Sequence, residues 1–168
     1  MNGPIKKEEF QKSAEEVALL LLDSVLVRKR EGKEERLQVR EVEIYEGFRD
    51  KASHAYRGKT ERSKVMFEEG GVFYVYLVYG MYYMLNVVVD REDYPSAILI
   101  RTAGEYDGPG KLTRALGIDF SLNKRKIGKE SDLWFERNKK EGKIERTPRV
   151  GIRCAKKWRD APLRFIKR

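Results

Sequence analysis

The chain has 168 residues, of which 40% are hydrophobic and 38% are charged, and its formal net charge is +9. This length is typical of a single domain with its own core, so we expect one domain over residues 1–168. The single cysteine, Cys154, excludes an internal disulfide, and with the only histidine, His54, it supplies too few ligands for a zinc site. The first ten residues lack the apolar segment of a signal peptide, so we expect an intracellular, soluble and metal-free protein.

The first predicted elements are a helix and a β-hairpin. Residues 8–22 predict an amphipathic helix, because apolar side chains recur at helical spacing opposite a charged face. Residues 25–27 and 37–45, on either side of a charged turn around Gly32, predict the two strands of a hairpin.

The second strand of this hairpin carries the first candidate for chemistry. Its apolar positions change parity between Val39 and Val42, which indicates a β-bulge or a strand that is covered on both faces. The change places Glu41, Glu43 and Tyr45 on one face. A carboxylate such as Glu43 on an apolar strand is costly to bury unless it is paired or functional. It can serve as a general base that activates a water, or it can be an edge charge that faces solvent, and the pattern leaves both open.

A polar, glycine-containing loop is predicted at 47–71, and an uncharged stretch follows at 70–89. The stretch is long enough to span a bilayer, but its tyrosines and Asn86 favour two buried strands that meet at Gly80.

Five tyrosines line these two strands and offer flat faces on which nucleic-acid bases can stack. They are Tyr74, Tyr76, Tyr79, Tyr82 and Tyr83. We expect Tyr74 and Tyr83 to be ordinary core residues. Tyr79 adjoins Gly80 at a strand end, where a large side chain can project and act as a wedge between base pairs.

A further strand is predicted at 97–102 and a short helix from Gly108 to Gly117. Arg101 stands alone in the apolar strand, where such a residue either satisfies neighbouring backbone groups or has a function. Lys111 and Arg114 follow the start of the helix, where they can hold a phosphate or form a solvated face.

The last part of the chain is strongly basic. Residues 124–168 contain 17 basic and 6 acidic side chains, a net charge of +11. This segment therefore accounts for the whole excess of basic over acidic residues in the chain. This concentration indicates a polyanionic partner or a solubility surface. The segment 121–148 is charged and weakly patterned, and two further strands are predicted near 149–154 and 163–167. The fold predicted from these elements is α+β, with a curved antiparallel β-sheet and flanking helices.

Several motifs occur in a consistent order along nearly the whole chain. They include Arg-Glu-Val-Glu-Ile-Tyr at 40–45, Ala-Ser-His-Ala at 52–55, Tyr-Val-Tyr-Leu-Val-Tyr-Gly-Met-Tyr at 74–82, Gly-Pro-Gly-Lys-Leu at 108–112 and Arg-Val-Gly-Ile at 149–152. In these motifs the chain resembles the 3-methyladenine (alkyladenine) DNA glycosylase family. The resemblance implies a monofunctional enzyme that releases alkylated, and also deaminated, purines from duplex DNA without a cofactor.

The resemblance implies roles for individual residues. Glu43 matches the catalytic general base, Arg101 the arginine that helps hold the attacking water, and Tyr79 the tyrosine that inserts into the minor groove. The residues that match the pocket for the flipped base are Tyr45, His54 and Tyr76, as its aromatic walls, and Asn86, which obstructs the amino group of normal guanine.

The predicted partner is therefore double-stranded DNA that contains damaged purines. We expect a monomer that does not bind membranes, located in the cytoplasm or associated with the nucleoid, with the basic region after residue 123 along the phosphate backbone. Two alternatives stay open. One is a non-catalytic nucleic-acid-binding protein that uses the basic surface and the tyrosines, and the other is a small RNA-processing or ribosome-associated protein.

Overall fold

The computed structural model describes residues 3–154 and 156–168. Within this part of the chain, nine strands form one antiparallel sheet, accompanied by three α-helices. The strands are β1 (Ser24–Arg30), β2 (Lys33–Glu46), β3 (Phe73–Val78), β4 (Tyr82–Val88), β5 (Ser96–Ala103), β6 (Tyr106–Asp107), β7 (Leu133–Arg137), β8 (Ile144–Thr147) and β9 (Arg164–Lys167), and the helices are α1 (Ala14–Leu22), α2 (Pro109–Leu116) and α3 (Lys156–Arg159). The α+β prediction is confirmed.

The long strand β2 organises the sheet. The main path of the sheet runs β3-β4-β5-β2-β1-β7, β6 pairs with β5, and β9 pairs with both β2 and β8. β2 pairs with β1 in its first half, and in its second half it lies between β5 and β9. The register against β5 shifts on both sides of Glu41, so the predicted bulge is confirmed at the place where β2 changes partners.

The N-terminal helix begins later than the sequence predicts. Residues Lys7–Gln11 form a separate 3-10 helix, and α1 starts only at Ala14. The reason is Ser13, whose backbone is extended and whose hydroxyl accepts a hydrogen bond from the N–H of Glu16, as an N-cap residue does.

Apart from a small cluster of Val25, Val27 and Trp134, two apolar clusters pack on the sheet. The larger one joins α1 and α2 to the central strands. The smaller one consists of Ala55, Val65, Met66, Phe67, Tyr74, Val88 and Ala97. It is formed where the predicted loop, which contains two 3-10 helices (His54–Arg57 and Lys64–Phe67), folds over β3, β4 and β5. This loop therefore supplies one side of a pocket rather than only a connection.

The uncharged stretch forms β3 and β4, as predicted, with Gly80 in the turn. Val78 accepts a hydrogen bond of 3.0 Å from the N–H of Met81, and both central residues, Tyr79 and Gly80, have left-handed φ angles, 53° and 63°. These features define a type I′ turn. No helix in the described ranges is long and apolar enough to cross a membrane.

The strand predicted near 149–154 is wrong, since the structure describes 149–154 as turn and irregular backbone, with β8 earlier in the chain. Arg149 is buried, the N–H of Val150 bonds to a side chain, and Gly151 has a left-handed φ of 73°. A strand cannot form because these groups are used in contacts across the molecule. The strand predicted at 163–167 is confirmed as β9, and β7, which pairs with β1, lies inside the weakly patterned segment.

Candidate active site

Glu43 is a fully buried carboxylate near the middle of the sheet. Its Oε1 accepts a hydrogen bond of 3.0 Å from the Tyr45 hydroxyl, and its Oε2 accepts one of 2.7 Å from the N–H of Val150. Burial raises the pKa of Glu43, and the nearby Arg101, the Val150 N–H and the Tyr45 hydroxyl only partly oppose this increase. A carboxylate has about four acceptor positions, so these contacts leave Glu43 able to bind a further donor.

Arg101 reaches the same carboxylate from β5. Its Nη1 lies 3.6 Å from Oε1 of Glu43, which is close enough for an ion pair but too long for a hydrogen bond. Its Nε donates a hydrogen bond of 3.2 Å to Oε1 of Glu41. The two residues predicted to be catalytic are therefore neighbours, and Arg101 lies between two carboxylates.

The residues predicted to bind a base lie around one cavity. Tyr45, His54, Tyr76 and Asn86 all line it. The remaining lining residues are Ala52, Met66, Tyr74, Ala97 and Ile152. Glu43 is not among the lining residues, and it is linked to the cavity wall by its hydrogen bond with Tyr45.

The aromatic rings of the cavity contact one another at close range. The His54 and Tyr76 ring centres are 4.6 Å apart in an edge-to-face arrangement, and Nδ1 of His54 is 2.8 Å from the Tyr74 hydroxyl. Burial, and next the positive charge of Arg62, lower the pKa of His54 to about 4, so the imidazole is neutral at neutral pH. Burial is also the main cause that raises the pKa of Tyr76 to about 12.

Asn86 is held rigidly in the cavity. It is 2% exposed, and its Nδ2 donates hydrogen bonds of 3.2 Å to the carbonyl of Tyr74 and 3.3 Å to the carbonyl of Met84. With the amide nitrogen bound to the backbone, the oxygen is the part of the side chain that remains available as an acceptor.

A buried ion pair supports the Tyr45 side of the cavity. Arg149 and Asp50 are both completely buried and form two parallel hydrogen bonds of 2.6 and 3.0 Å. The guanidinium also donates a 3.0 Å hydrogen bond to the carbonyl of Ile44 and packs over the Tyr45 ring. The C-terminal part of the chain thus fixes one wall of the cavity.

Comparison with known proteins identifies the family. The sequence model of the methylpurine-DNA glycosylase family matches residues 8–107 and 104–168, which together span nearly the whole chain. The chain belongs to the methylpurine-DNA glycosylase family.

Three similar proteins are each named "Putative 3-methyladenine DNA glycosylase". The protein from Clostridium beijerinckii is 37% identical over 96% of this chain and 94% of its own length, and the one from Legionella pneumophila (strain Lens) is 42% identical over 89% and 86%. The protein from Natranaerobius thermophilus is 36% identical over 96% and 93%.

In this member of the methylpurine-DNA glycosylase family, Tyr79 lies outside the cavity at the tip of the β3–β4 hairpin. Its side chain is 90% exposed, the most exposed of the large hydrophobic residues in the described part of the chain. A tyrosine with a left-handed φ is uncommon, so the turn holds a bulky ring in solvent at some cost in backbone energy.

The two predicted phosphate-binding residues also lie outside the cavity. Lys111 and Arg114 are exposed on α2. The guanidinium of Arg114 is 5.5 Å from the ring centre of Tyr82, which follows the hairpin turn. The helix is therefore beside the hairpin, on the side of the molecule where Tyr79 projects.

Sequence reasoning missed several residues of this methylpurine-DNA glycosylase site. The sequence predicts Tyr74 as an ordinary core residue, and it is buried, yet it also lines the cavity and its hydroxyl bonds to His54. Its position two residues before Tyr76 on one strand was a usable signal. Arg149 and Ile152 belong to one of the motifs that carry the family resemblance, but the local pattern predicts a strand there and assigns them no place in the site. In the described ranges no group of three or more His, Cys, Asp or Glu is placed to bind a metal ion.

Proposed function

We propose that this chain is a monofunctional DNA glycosylase that removes alkylated purines, 3-methyladenine among them, from duplex DNA and leaves an abasic site. The observation that carries the proposal is the hydrogen bond between Glu43 and Tyr45, because it connects a buried carboxylate to an aromatic cavity. The family and the names of the similar proteins agree with this substrate class.

The damaged nucleotide must leave the duplex to reach the cavity. Extrusion costs a few kcal/mol and is easiest for a damaged base pair. An alkylated purine such as 3-methyladenine is cationic, and the faces of Tyr45 and Tyr76 attract a cation. Neutral His54 adds no opposing charge from its imidazole at neutral pH. These features favour capture of an extruded alkylated base.

Hydrolysis then needs one water and one base. The bond between C1′ and the purine nitrogen breaks, its electron pair leaves with the purine, and the sugar becomes oxocarbenium-like. A water oxygen attacks C1′ while Glu43 takes the proton from that water. Arg101, 3.6 Å from Glu43, favours the ionised carboxylate and helps hold the water. No lysine is among the described residues that line the cavity, which supports hydrolysis by water rather than a covalent amine intermediate.

Tyr79 is proposed to fill the space that the extruded nucleotide leaves. An aromatic side chain that enters between base pairs from the minor groove keeps the duplex open. The 90% exposure of the ring and its place at the tip of a two-stranded hairpin suit this role.

The phosphate backbone is proposed to lie along α2 and the basic C-terminal region. Lys111 and Arg114 are exposed beside the hairpin, and each phosphate that a cation neutralises releases condensed counterions. We expect binding to duplex DNA to weaken as the salt concentration rises.

Asn86 is proposed to select among purines. Its fixed amide at the cavity wall would obstruct the exocyclic amino group of normal guanine, whereas hypoxanthine, a deaminated purine, lacks that group. Deaminated purines are therefore a second expected substrate class, tested by release of hypoxanthine from duplex DNA.

The test of the function is release of free base from methylated duplex DNA by the wild-type protein, Glu43→Gln and Glu46→Gln. Glu46 is an exposed carboxylate on the same strand and serves as the matched control. We expect Glu43→Gln to lose roughly 10²–10⁴-fold in rate while it still binds duplex DNA, and Glu46→Gln to retain the rate. Release by Glu43→Gln at the wild-type rate would remove Glu43 as the base. No release by the wild type, with binding intact, would favour a non-catalytic nucleic-acid-binding protein.

A further inference from the structure

We propose that Glu41 is a positioning residue for base release, which holds Arg101 away from Glu43 so that acceptor positions on the buried Glu43 carboxylate remain free for the attacking water. This inference rests on the function proposed above, in which Glu43 is the base. Glu41 itself is 8% exposed, and in the structure it contacts Arg101 and not the aromatic cavity.

The contacts of Arg101 are unequal. Its Nε donates a 3.2 Å hydrogen bond to Glu41, whereas its Nη1 stays 3.6 Å from Glu43. Only the first distance is that of a hydrogen bond. Arg101 is thus bound to Glu41 and acts on Glu43 through its charge.

Glu41 is fixed by donors from two other positions. Arg164 of β9 donates a 2.5 Å hydrogen bond to the same Oε1 that binds Arg101, and the Thr102 hydroxyl lies 3.0 Å from Oε2. The bulge in β2 occurs at Glu41, where β9 and β5 pair with it on opposite edges. The carboxylate is therefore held from both sides and cannot easily follow Arg101 if Arg101 moves.

Without Glu41, the guanidinium would have a better partner in Glu43 than the present arrangement allows. Arginine and carboxylate groups readily form two parallel hydrogen bonds, and these are stronger than a single charge contact. Because Glu43 already accepts hydrogen bonds from Tyr45 and Val150, such a pair would use the acceptor positions that the water needs. Glu41 prevents this by binding the Nε edge of the guanidinium.

The charge at Glu41 also affects the ionisation of Glu43. Removal of a nearby negative charge, together with closer approach of Arg101, favours the ionised form of Glu43 and lowers its pKa. The other titratable or charged groups that face Glu43 are Tyr45 on β2, Tyr76 on β3, Arg101 on β5, Arg149 in the C-terminal segment, and Arg164, which is opposite Glu43 on β9. A substitution at Glu41 changes the hydrogen bonds of Arg101 and Arg164, which both donate to Glu41, and leaves the other three groups with their partners.

The experiment measures single-turnover release of base from methylated duplex DNA across pH, for the wild type and Glu41→Gln. A cationic alkylated base needs no proton from the protein to leave, so the acid limb of the profile reports ionisation of Glu43. We expect the plateau rate of Glu41→Gln to fall by roughly tenfold to a hundredfold, since a misplacement of about 1 Å costs about 10²-fold. We also expect its acid limb to move to lower pH by about one unit.

The matched control is Glu35→Gln. Glu35 lies on the same strand, and its carboxylate accepts a hydrogen bond from Tyr106 far from the site, so we expect an unchanged rate and limb. If Glu41→Gln releases base more slowly but its acid limb stays at the wild-type pH, then Glu41 only supports the fold, and the proposal is overturned. An unchanged plateau rate of base release in Glu41→Gln would also overturn it. Failure of the proposed function is distinguishable, because it would appear as no base release by the wild type. Failure of the role of Glu43 would appear as normal base release by Glu43→Gln.

A second variant covers the case in which Glu41→Gln does not fold, as judged by circular dichroism and melting temperature. Glu41→Asp keeps the charge but draws the carboxylate back by one methylene group. We expect it to release base more slowly than the wild type, with a smaller shift of the acid limb to lower pH. If Glu41→Asp releases base at the wild-type rate and its acid limb lies at the wild-type pH, the positioning role would be overturned.

Discussion

The guanidinium carbon of Arg149 lies 4.8 Å from the centre of the Tyr45 ring. The same guanidinium is bound to Asp50, which also accepts hydrogen bonds from the N–H groups of Glu46 and Ala52. One buried ion pair therefore joins the C-terminal segment, the loop after β2 and a wall of the aromatic cavity.

Loss of Asp50 should destabilise the protein strongly. In Asp50→Asn, Arg149 would remain buried with an uncompensated charge, and we expect a loss of about 3–5 kcal/mol in the free energy of unfolding, measured in urea. Asp160→Asn is the control, because its ion pair with Arg159 is exposed, and we expect no measurable change. Similar losses in the two variants would contradict the importance of burial for this pair.

Replacement of Tyr79 should separate stability from activity. Tyr79→Gly removes a bulky residue from a left-handed backbone position, so we expect an unchanged or slightly higher melting temperature. We expect slower single-turnover release from duplex DNA and weaker base extrusion, followed with a fluorescent base analogue. Tyr79→Phe keeps the ring and should retain the wild-type rate of base release and the wild-type base extrusion. An undiminished rate on duplex DNA in Tyr79→Gly would count against the wedge.

The pH dependence of base release should reflect the environment of Glu43. Because burial raises the pKa of Glu43 and the base must be ionised, activity should be lost as the pH falls, with a midpoint above the ordinary value of about 4.3. Arg101→Gln removes the cation that opposes this increase, so we expect its acid limb at higher pH and its plateau rate to be lower. A limb that moves to lower pH in Arg101→Gln would disprove this account.

His54 should make the fold sensitive to acid. Its pKa of about 4 in the folded protein is below the ordinary value of about 6.5, so the unfolded chain binds the proton more readily. The contribution of neutral His54 to the free energy of unfolding is present above about pH 6.5 and is lost as the pH falls toward 4, by on the order of 3 kcal/mol. The measurement is urea unfolding across this range for the wild type and His54→Gln. Parallel stability curves for the two proteins would show that the imidazole is not protected from protons.

The sequence was sufficient for the parts of the fold that depend on neighbouring residues. The alternation in β2 located the bulge, Gly80 marked the turn of the β3–β4 hairpin, and Gly117 ended α2. Each of these features is set by side-chain periodicity or by a local backbone preference. The predicted pocket residues line one cavity, while their roles stay predictions.

Only the tertiary structure decided how the C-terminal segment contributes to the site. Val150 bonds to Glu43 across 107 positions of sequence, and Arg149 bonds to Asp50 across 99. Local pattern predicted a strand there, because apolar residues near 150 resemble one when only their neighbours are considered. The backbone instead follows these two polar contacts, since a buried carboxylate and a buried guanidinium must each be satisfied by partners that are distant in the chain.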